Sequence, residues 1–432
     1  MLATKKLGFG AVLAIVFGSQ IGSGIFVIPS ALAPFGTFGI YGWLLAGLGA
    51  VLLAFVFAGL CSNFPKTGGP HVYVNEMFGS IPAFFTGWTY WLISWISSSV
   101  VVISAVACLH PFLGANQSPY LYLSLEIALL LLLTYINCKS VVLSGKLELF
   151  LTVLKFVPFV VVPLVIFQDM DLSKTTVTQE YANLPTFELL SLAASIAFWG
   201  FIGVECATTP AAAVENPSKT IPRAIILGTI SVAIIYIINN VAIMGVIPSE
   251  ILAKSQAPFV DAIDVVLGKN CSMIISVITS LVCVGTLNAW ILTSAQISLG
   301  LAEDRLLPAL FAKKNEAGAP YWSVLISCFG MIPLLIMTKS DSLSSQITYI
   351  IDFSVKSFLL VYLICICAYL KFTYHSRQFM QLSLGCAALL FCIWMIIESS
   401  VQSVMIATLF TVSGVFVLPF VSRNFPNGSV QE

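Results

Sequence analysis

The sequence predicts an all-α integral membrane protein with twelve transmembrane helices. Of its 432 residues, 59% are hydrophobic and 9% are charged, whereas soluble domains carry about 25% charged residues. Apolar segments recur along the chain at about the 20-residue length that crosses a bilayer. Glycines interrupt two of these segments at matching places. Together these observations predict a chain that crosses the membrane repeatedly, with specialised interruptions in two of its spans.

The apolar segments define the individual spans and their order. Every connection between them is short, so we expect one membrane domain over residues 1–432 without an added soluble domain. The spans are expected near 10–33, 38–62, 81–109, 119–137, 147–167, 187–213, 222–246, 271–300, 321–338, 346–370, 379–397 and 400–421.

Composition also narrows the classes of function. The formal net charge is zero, so nothing points to a nucleic-acid partner. The eleven cysteines are odd in number and irregularly spaced, which indicates neither a disulfide framework nor a zinc site. An intramembrane enzyme would need paired aspartates or a His–Glu zinc motif at helical spacing, and the sequence contains neither. We therefore expect no metal, no cofactor and no catalysis.

The distribution of lysine and arginine orients the chain. With both termini in the cytoplasm, thirteen of the 19 lysines and arginines lie on the cytoplasmic side, four lie outside, and two fall inside spans. Cytoplasmic loops of membrane proteins carry this excess of basic residues. The opposite orientation would invert the bias, so the sequence predicts cytoplasmic termini and a cytoplasmic loop at 214–221.

Two mid-span interruptions predict an internal repeat. The first span contains Gly22, Ser23 and Gly24, and the sixth contains Gly200 and Gly203. Glycine weakens a helix, and matching interruptions in two halves of a chain point to the site of a transporter. The two interruptions lie five spans apart, an odd number, so the second unit enters the membrane inverted. We expect an inverted repeat (about 10–167 and 187–370) with two appended helices (about 379–421).

A helix that is broken within the membrane suits an amino acid. The break leaves N–H groups free at the start of one half-helix and carbonyl groups free at the end of the other. The N–H end and its dipole favour a carboxylate, and the carbonyl end accepts hydrogen bonds from an ammonium. Such a site needs no catalytic side chain.

Two deep tryptophans are candidate site residues. Trp199 and Trp290 lie well inside their spans, whereas tryptophans such as Trp88 fit the membrane interface. Helix packing is the rival interpretation. An indole face over a desolvated cation contributes ~1–2 kcal/mol, so the pattern favours a cationic or zwitterionic substrate.

Charged residues inside spans are rare and usually functional. Asp352 and Lys356 are spaced i, i+4 and therefore share one helix face. We expect them to form an ion pair that lines the outer vestibule and contributes to gating. Lys155 has no acidic residue within one turn, so its partners must come from other helices. The ionisable residues singled out within spans are Lys155, Glu205, Asp352 and Lys356.

Four sequence motifs identify a family resemblance. GSQIGSGIF at 18–26, FPKTGGP at 64–70 with Tyr73, FWGFIGVE at 198–205, and ENP through IPRA at 215–224 resemble the amino acid–polyamine–organocation (APC) transporters. The resemblance covers about residues 7–420 and is strongest to the arginine/agmatine antiporters of that family. It implies the leucine-transporter-like fold with broken helices 1 and 6, in the inner membrane of a bacterium.

The resemblance also implies roles for individual residues. The residues that match Ser23 and Gly24 hold the substrate carboxylate in the arginine/agmatine antiporters. Backbone carbonyls at the positions of Trp199 and Ile202 accept the substrate ammonium. The indole that matches Trp199 covers the site from outside, and the one that matches Trp290 lies under the substrate side chain.

Further matched positions bear on gating, specificity and coupling. The glutamate at Glu205 links the gate to the core, and the tyrosine at Tyr90 lies in helix 3. The asparagine that meets the guanidinium corresponds to Ser98, whose hydroxyl makes fewer hydrogen bonds, so the choice of substrate stays open. Lys155 matches a lysine that replaces a bound sodium ion in several sodium-independent members, although the arginine/agmatine antiporters lack it.

The expected function is sodium-independent transport of an amino acid by alternating access. Exchange of basic amino acids or their amines is the first hypothesis. A proton-coupled importer of neutral amino acids and a non-transporting amino-acid sensor are the alternatives. The expected partners are the small-molecule substrate and the lipid bilayer, and the oligomeric state stays open, a homodimer included.

Overall fold

The fold is seen in a computed structural model. It describes residues 7–66, 68–113, 118–139, 141–209, 211, 214–337 and 343–422. Outside this description are also the side chains of Ser23, Phe420, Ser422 and of residues 141–149 and 343–348.

The described chain is helical along most of its length. Six 3-10 turns in the described residues lie beside the helices or between them, of which Trp199–Phe201 and Cys206–Thr208 matter for the site. The α-helices are α1 (Phe9–Gln20), α2 (Ser23–Leu32), α3 (Thr37–Asn63), α4 (Pro70–Phe78), α5 (Ser80–Ala107), α6 (His110–Leu113), α7 (Pro119–Lys139), α8 (Val141–Ile166), α9 (Thr186–Phe198), α10 (Pro217–Val246), α11 (Ser249–Leu252), α12 (Pro258–Leu267), α13 (Lys269–Glu303), α14 (Tyr321–Met337), α15 (Leu343–His375), α16 (Phe379–Ile397), α17 (Val401–Val412) and α18 (Leu418–Ser422).

Ten segments within the described residues are long and apolar enough to cross a membrane. Phe9–Leu32 and Thr186–Thr208 are two of the ten, and each contains an interruption. Tyr321–Met337 and Val401–Phe416 are shorter apolar helices. A multi-pass helical membrane protein follows from these lengths, because a helix satisfies all its backbone hydrogen bonds internally in lipid.

The interrupted helices lie at the centre of the bundle. α1 and α2 pack against α5, α8, α10 and α13, and α9 packs against α3 and α15. α7 and α16 lie at the periphery, with 28% and 22% of their apolar windows buried, against 71% for Phe9–Leu32 and 72% for Thr186–Thr208. Burial of the interrupted spans inside the protein allows non-helical backbone at their interruptions.

The observed boundaries depart from the expected ones in several connections. The connection between α10 and α13, in which no helix was predicted, contains α11 and α12. α4 also forms in a connection, and Pro70 and Pro258 occupy the first turns of α4 and α12, where proline is tolerated. The last span was expected over 400–421, but regular α-helix ends at Val412 and gives way to a 3-10 turn.

Candidate functional site

A cavity lies between the interrupted helices and their neighbours α5 and α13. The non-atom space between its walls, open solvent included, is about 370 Å³. The lining residues come from four stretches of the chain and none is charged: Ser19, Gln20, Gly22, Gly24, Ser97, Ser98, Val101, Trp199, Gly200, Ile202, Thr286 and Trp290.

The first interruption separates α1 from α2. Ile21 is extended (φ −75°, ψ 91°), and Gly22 occupies the N-cap of α2 (φ −129°, ψ −158°). A Cβ on Gly22 would lie 2.6 Å from Cγ2 of Thr286, so only glycine allows α13 to approach this closely. Glycine also has no side chain to cap the first N–H groups of α2. The N-terminus of α2 at the cavity wall is therefore a favourable position for an anion.

The carbonyl end of α1 is held by donors from three other helices. Lys155 Nζ donates to the carbonyl of Gly18 at 2.9 Å. The hydroxyl of Tyr236 donates to the carbonyl of Gln20 at 2.5 Å. The hydroxyl of Thr286 donates to the carbonyl of Ile21 at 3.2 Å. These bonds satisfy carbonyl groups that the end of a helix leaves free, and they fix α1 against α8, α10 and α13.

The second interruption follows α9 and faces the first. After the 3-10 turn Trp199–Phe201, Ile202 is extended (φ −61°, ψ 134°) and Gly203 has φ +104°. That positive φ favours glycine. The Ser19 hydroxyl lies 3.1 Å from the Gly203 carbonyl, so the two interruptions are in direct contact.

The predicted aromatic and serine side chains lie at the cavity. Trp199 and Trp290 both line it and are 8% and 7% exposed. The Trp290 ring makes an edge-to-face contact with Phe358, with centroids 6.2 Å apart. Ser98 also lines the cavity, and its hydroxyl donates to the carbonyl of Ser94 at 2.6 Å.

Glu205 and Tyr90 form a buried cluster beside the cavity. The Tyr90 hydroxyl donates to Oε1 of Glu205 at 2.7 Å, and the Tyr362 hydroxyl donates to Oε2 at 2.6 Å. Glu205 is fully buried and does not line the cavity. Its carboxylate therefore ties the second interruption to α5 and α15 and does not stand in the cavity wall.

Asp352 and Lys356 form an ion pair on α15. Lys356 Nζ lies 2.6 Å from Oδ1 of Asp352 and donates to the hydroxyl of Ser195 on α9 at 2.6 Å. The Lys356 side chain is 4% exposed and that of Asp352 is 39% exposed. The pair is thus reached by solvent from the aspartate side, and it connects α15 to the helix that ends at Trp199.

The cavity brings together five of the predicted residues: Gly24, Ser98, Trp199, Ile202 and Trp290. The Ser23 side chain lies outside the described part of the chain. Lys155, Tyr90, Glu205, Asp352 and Lys356 contact the surrounding helices and do not line the cavity.

Sequence reasoning missed four polar residues of the cavity wall. Ser19 and Gln20 directly precede the first interruption, and Thr286 lies one turn before Trp290, so position in the sequence was an available signal for these three. Ser97 adjoins Ser98 on α5. Tyr236, which anchors α1 from α10, carried no such signal.

Comparison with known proteins agrees with this architecture. The profile of the Amino acid permease family matches residues 7–430. The putrescine transporter PotE of Haemophilus influenzae is 31% identical over 84% of each chain. The cadaverine/lysine antiporter of Escherichia coli K12 is 29% identical over 78% of this chain and 76% of its own. A putative arginine/ornithine antiporter of Bacillus subtilis is 29% identical over 98% of this chain and 99% of its own.

The profile match extends across both interruptions and the whole cavity wall. The profile match covers nearly the entire chain, and the relatives named above are transporters and antiporters. The chain therefore belongs to the amino acid permease family, and it is a membrane transporter of amino acids or amines, not an enzyme.

Proposed function

We propose that this protein is a sodium-independent transporter that exchanges basic amino acids or their amines by alternating access. The relatives act, by their names, on putrescine, on cadaverine and lysine, and on arginine and ornithine. These compounds share one or two amino groups that are positively charged at neutral pH. A cavity lined by aromatic and uncharged polar side chains supports this proposal, since it offers π faces and hydrogen-bond acceptors to a cation.

The proposed membrane arrangement has twelve spans. The ten long spans and the two shorter apolar helices, α14 and α17, make up this number. The interruptions after Gln20 and after Phe201 fall in the first and sixth spans, which supports an inverted repeat of five plus five helices. We place both termini in the cytoplasm and the protein in the bacterial inner membrane.

The substrate backbone is proposed to bridge the two interruptions. Its carboxylate is held by the N–H groups at the start of α2, from Ser23 and Gly24. Its ammonium is held by carbonyl groups at Trp199 and Ile202, on the other side of the cavity. The Trp290 indole lies under the side chain of the substrate. An amine without a carboxylate uses the ammonium position and the indole.

The buried position of Lys155 at the end of α1 supports sodium independence. Its ammonium is within hydrogen-bond distance of the Gly18 carbonyl, is buried to 1% exposure, and lies between α1, α8 and α13. A bound metal cation would occupy the same kind of position, surrounded by oxygen atoms at the end of α1. We therefore assign Lys155 the role of a fixed cation that braces α1.

Two further contacts are proposed to couple the cavity to its gates. The Asp352–Lys356 pair bonds to Ser195 three residues before the end of α9, which supports a role at the outer gate. Glu205 bonds to Tyr90 and Tyr362 and so connects the second interruption to α5 and α15. A movement of α9 would have to break these hydrogen bonds or move the bonded residues together with the helix.

The lack of an acidic side chain in the described cavity wall favours one alternative, import of neutral amino acids. A neutral substrate would need only the backbone groups for its carboxylate and ammonium. A non-transporting sensor would bind through the same groups. An exchange assay in proteoliposomes separates import and sensing from exchange.

Exchange in proteoliposomes tests the proposal. Vesicles that contain the purified protein are preloaded with lysine, arginine, ornithine, putrescine or leucine, and uptake of labelled lysine is measured with sodium or with choline outside. We expect uptake only into vesicles preloaded with basic compounds, at equal rates in both salts. Uptake that requires sodium, or equal uptake into empty vesicles, contradicts the proposal, and binding without uptake identifies a sensor.

A further inference from the structure

The hydroxyl groups in the cavity wall share one property: each has its proton within reach of a backbone carbonyl. The four hydroxyl groups of Ser19, Ser97, Ser98 and Thr286 have their nearest such acceptors at 2.9, 3.3, 2.6 and 3.2 Å. A hydroxyl has one proton and two lone pairs. With their protons engaged in this way, these side chains can act toward the cavity only as hydrogen-bond acceptors.

Gln20 adds an acceptor that has no partner. Its side-chain nitrogen donates to the Thr229 hydroxyl at 2.9 Å, which leaves the amide oxygen Oε1. This oxygen is buried and has no hydrogen-bond partner within the described residues. Of all such buried atoms in the described chain, it alone belongs to a residue of the cavity wall. A buried polar atom is unfavourable without a partner, so a donor that enters the cavity would stabilise it.

The charge of the substrate is not matched by a carboxylate in the wall. None of the lining residues is acidic, and both carboxylate oxygens of nearby Glu205 already accept bonds from Tyr90 and Tyr362. Recognition of an amino group must therefore use neutral acceptors and the two indole faces. Neutral acceptors of this kind favour substrates with more N–H groups, because each N–H can donate a hydrogen bond to one of them.

We propose that Gln20 is a specificity-determining residue whose side-chain oxygen accepts an N–H of the substrate's amino group, so that the cavity prefers substrates with a terminal ammonium over isosteric apolar ones. This inference rests on the proposed function and adds to it a residue and a selection rule. The amide is held in position by Thr229, and the hydroxyls of Ser97, Ser98 and Thr286 supply further acceptors.

The test compares lysine with norleucine, which has a similar unbranched side chain without the terminal ammonium. Binding of both is measured for the wild-type protein and for Gln20→Met, which keeps the length of the side chain and removes the acceptor. We expect the preference for lysine to fall about tenfold or more, as for the loss of one hydrogen bond to a charged group. Gln20→Glu should raise the preference, because a carboxylate attracts the ammonium.

Gln381→Met is the matched control. Its Oε1 is also buried without a partner, but Gln381 lies on α16, away from the cavity. This variant should keep the wild-type preference. Thermal unfolding in detergent shows whether each variant is folded, and Gln20→Glu keeps the test valid if Gln20→Met does not fold.

The outcomes separate this inference from the proposed function. If wild type prefers lysine and Gln20→Met keeps that preference unchanged, the inference is overturned and the proposed function stands. A Gln20→Glu variant that binds lysine less well than wild type would also overturn it, since it would mean that the amide presents its N–H to the substrate. A wild-type protein that prefers norleucine overturns both.

Discussion

Lys155 places an ammonium group in the interior of the bundle, where an unpaired charge would be costly. The side chain is 1% exposed, and its Nζ lies 2.9 Å from the carbonyl of Gly18. Gly18 is two residues before the end of α1, so the lysine supports the helix just before it breaks. A neutral side chain of the same length would fill the space but could not donate to this carbonyl.

We expect Lys155→Met to reduce exchange by about tenfold or more, because a hydrogen bond from a charged donor contributes ~1.5–3 kcal/mol. The measurement is exchange in proteoliposomes, with thermal unfolding as a check on the fold. Lys174→Met is the control: Lys174 also donates to a backbone carbonyl, that of Val246, but it lies outside the cavity. Wild-type exchange by Lys155→Met would rule out the bracing role.

The residues around the cavity differ in how well the sequence predicts their contacts. Trp199, Trp290 and Ser98 could be predicted as site residues from the sequence. The signals were depth within a span and resemblance to a motif, and both can be seen in a short stretch of sequence. The bonds from Tyr236 to Gln20 and from Thr286 to Ile21 join residues 216 and 265 positions apart. No local pattern encodes such contacts, since they depend on how the helices pack.

The interruption between α1 and α2 depends on close contact between elements. A Cβ at Gly22 would lie 2.6 Å from Cγ2 of Thr286, so Gly22→Ala must push α2 away from α13. Such overpacking typically costs ~1–3 kcal/mol. We therefore expect Gly22→Ala to lower the thermal unfolding temperature and to impair exchange.

Gly10→Ala is a control in the same span. Gly10 lies within α1, and a Cβ there would have no atom within 4 Å. Alanine is favoured over glycine inside a helix by up to ~1 kcal/mol, so this variant should be as stable as wild type or slightly more stable. Equal losses in both variants would mean that helix flexibility, not contact with Thr286, explains the glycine.

The ion pair on α15 is the second contact between elements that we expect to matter. Lys356 contacts both Asp352 and Ser195, so its loss removes two bonds and leaves a half-exposed carboxylate. We expect Lys356→Met to impair exchange more than Asp352→Asn, and the double variant to be no worse than Lys356→Met. Residues in direct contact couple by ~0.5–3 kcal/mol.

The exchange rates of these three variants form a double-mutant cycle. Effects that simply add would show that the two side chains act independently. Lys314→Met tests the specificity of the result, because Lys314 forms an exposed ion pair with Glu303 at 2.8 Å. Exposed pairs contribute little, so exchange by that variant should stay at the wild-type rate.

The positions of helices were predictable where a long apolar composition is enough to identify a span. The long spans α3, α5 and α10 match the expected segments closely because a bilayer demands about 20 apolar residues. α4 and α12 were missed because they are too short to span, and α12 has two acidic residues, Asp261 and Asp264. Their helicity depends on packing against α5 and α13, which composition does not report.

The molecule as a whole is oriented by its basic residues. The connection between α13 and α14 contains Arg305, Lys313 and Lys314, whereas the connection between α10 and α13 contains Lys254 alone before Lys269 begins α13. These two connections lie at opposite ends of α13, a helix that crosses the whole bundle. The positive-inside rule therefore predicts that the first connection lies in the cytoplasm and the second outside.

Cysteine labelling in intact cells tests this orientation. Glu316 and Lys254 are both exposed, and they lie in the connections at the two ends of α13. In a parent in which exposed Cys386 is replaced by serine, Lys254→Cys should react with a membrane-impermeant maleimide added outside. Glu316→Cys should react only after permeabilisation, because the bilayer separates it from the reagent. Labelling of Glu316→Cys in intact cells would invert the topology, and with it the assignment of the Asp352–Lys356 pair to the outer gate.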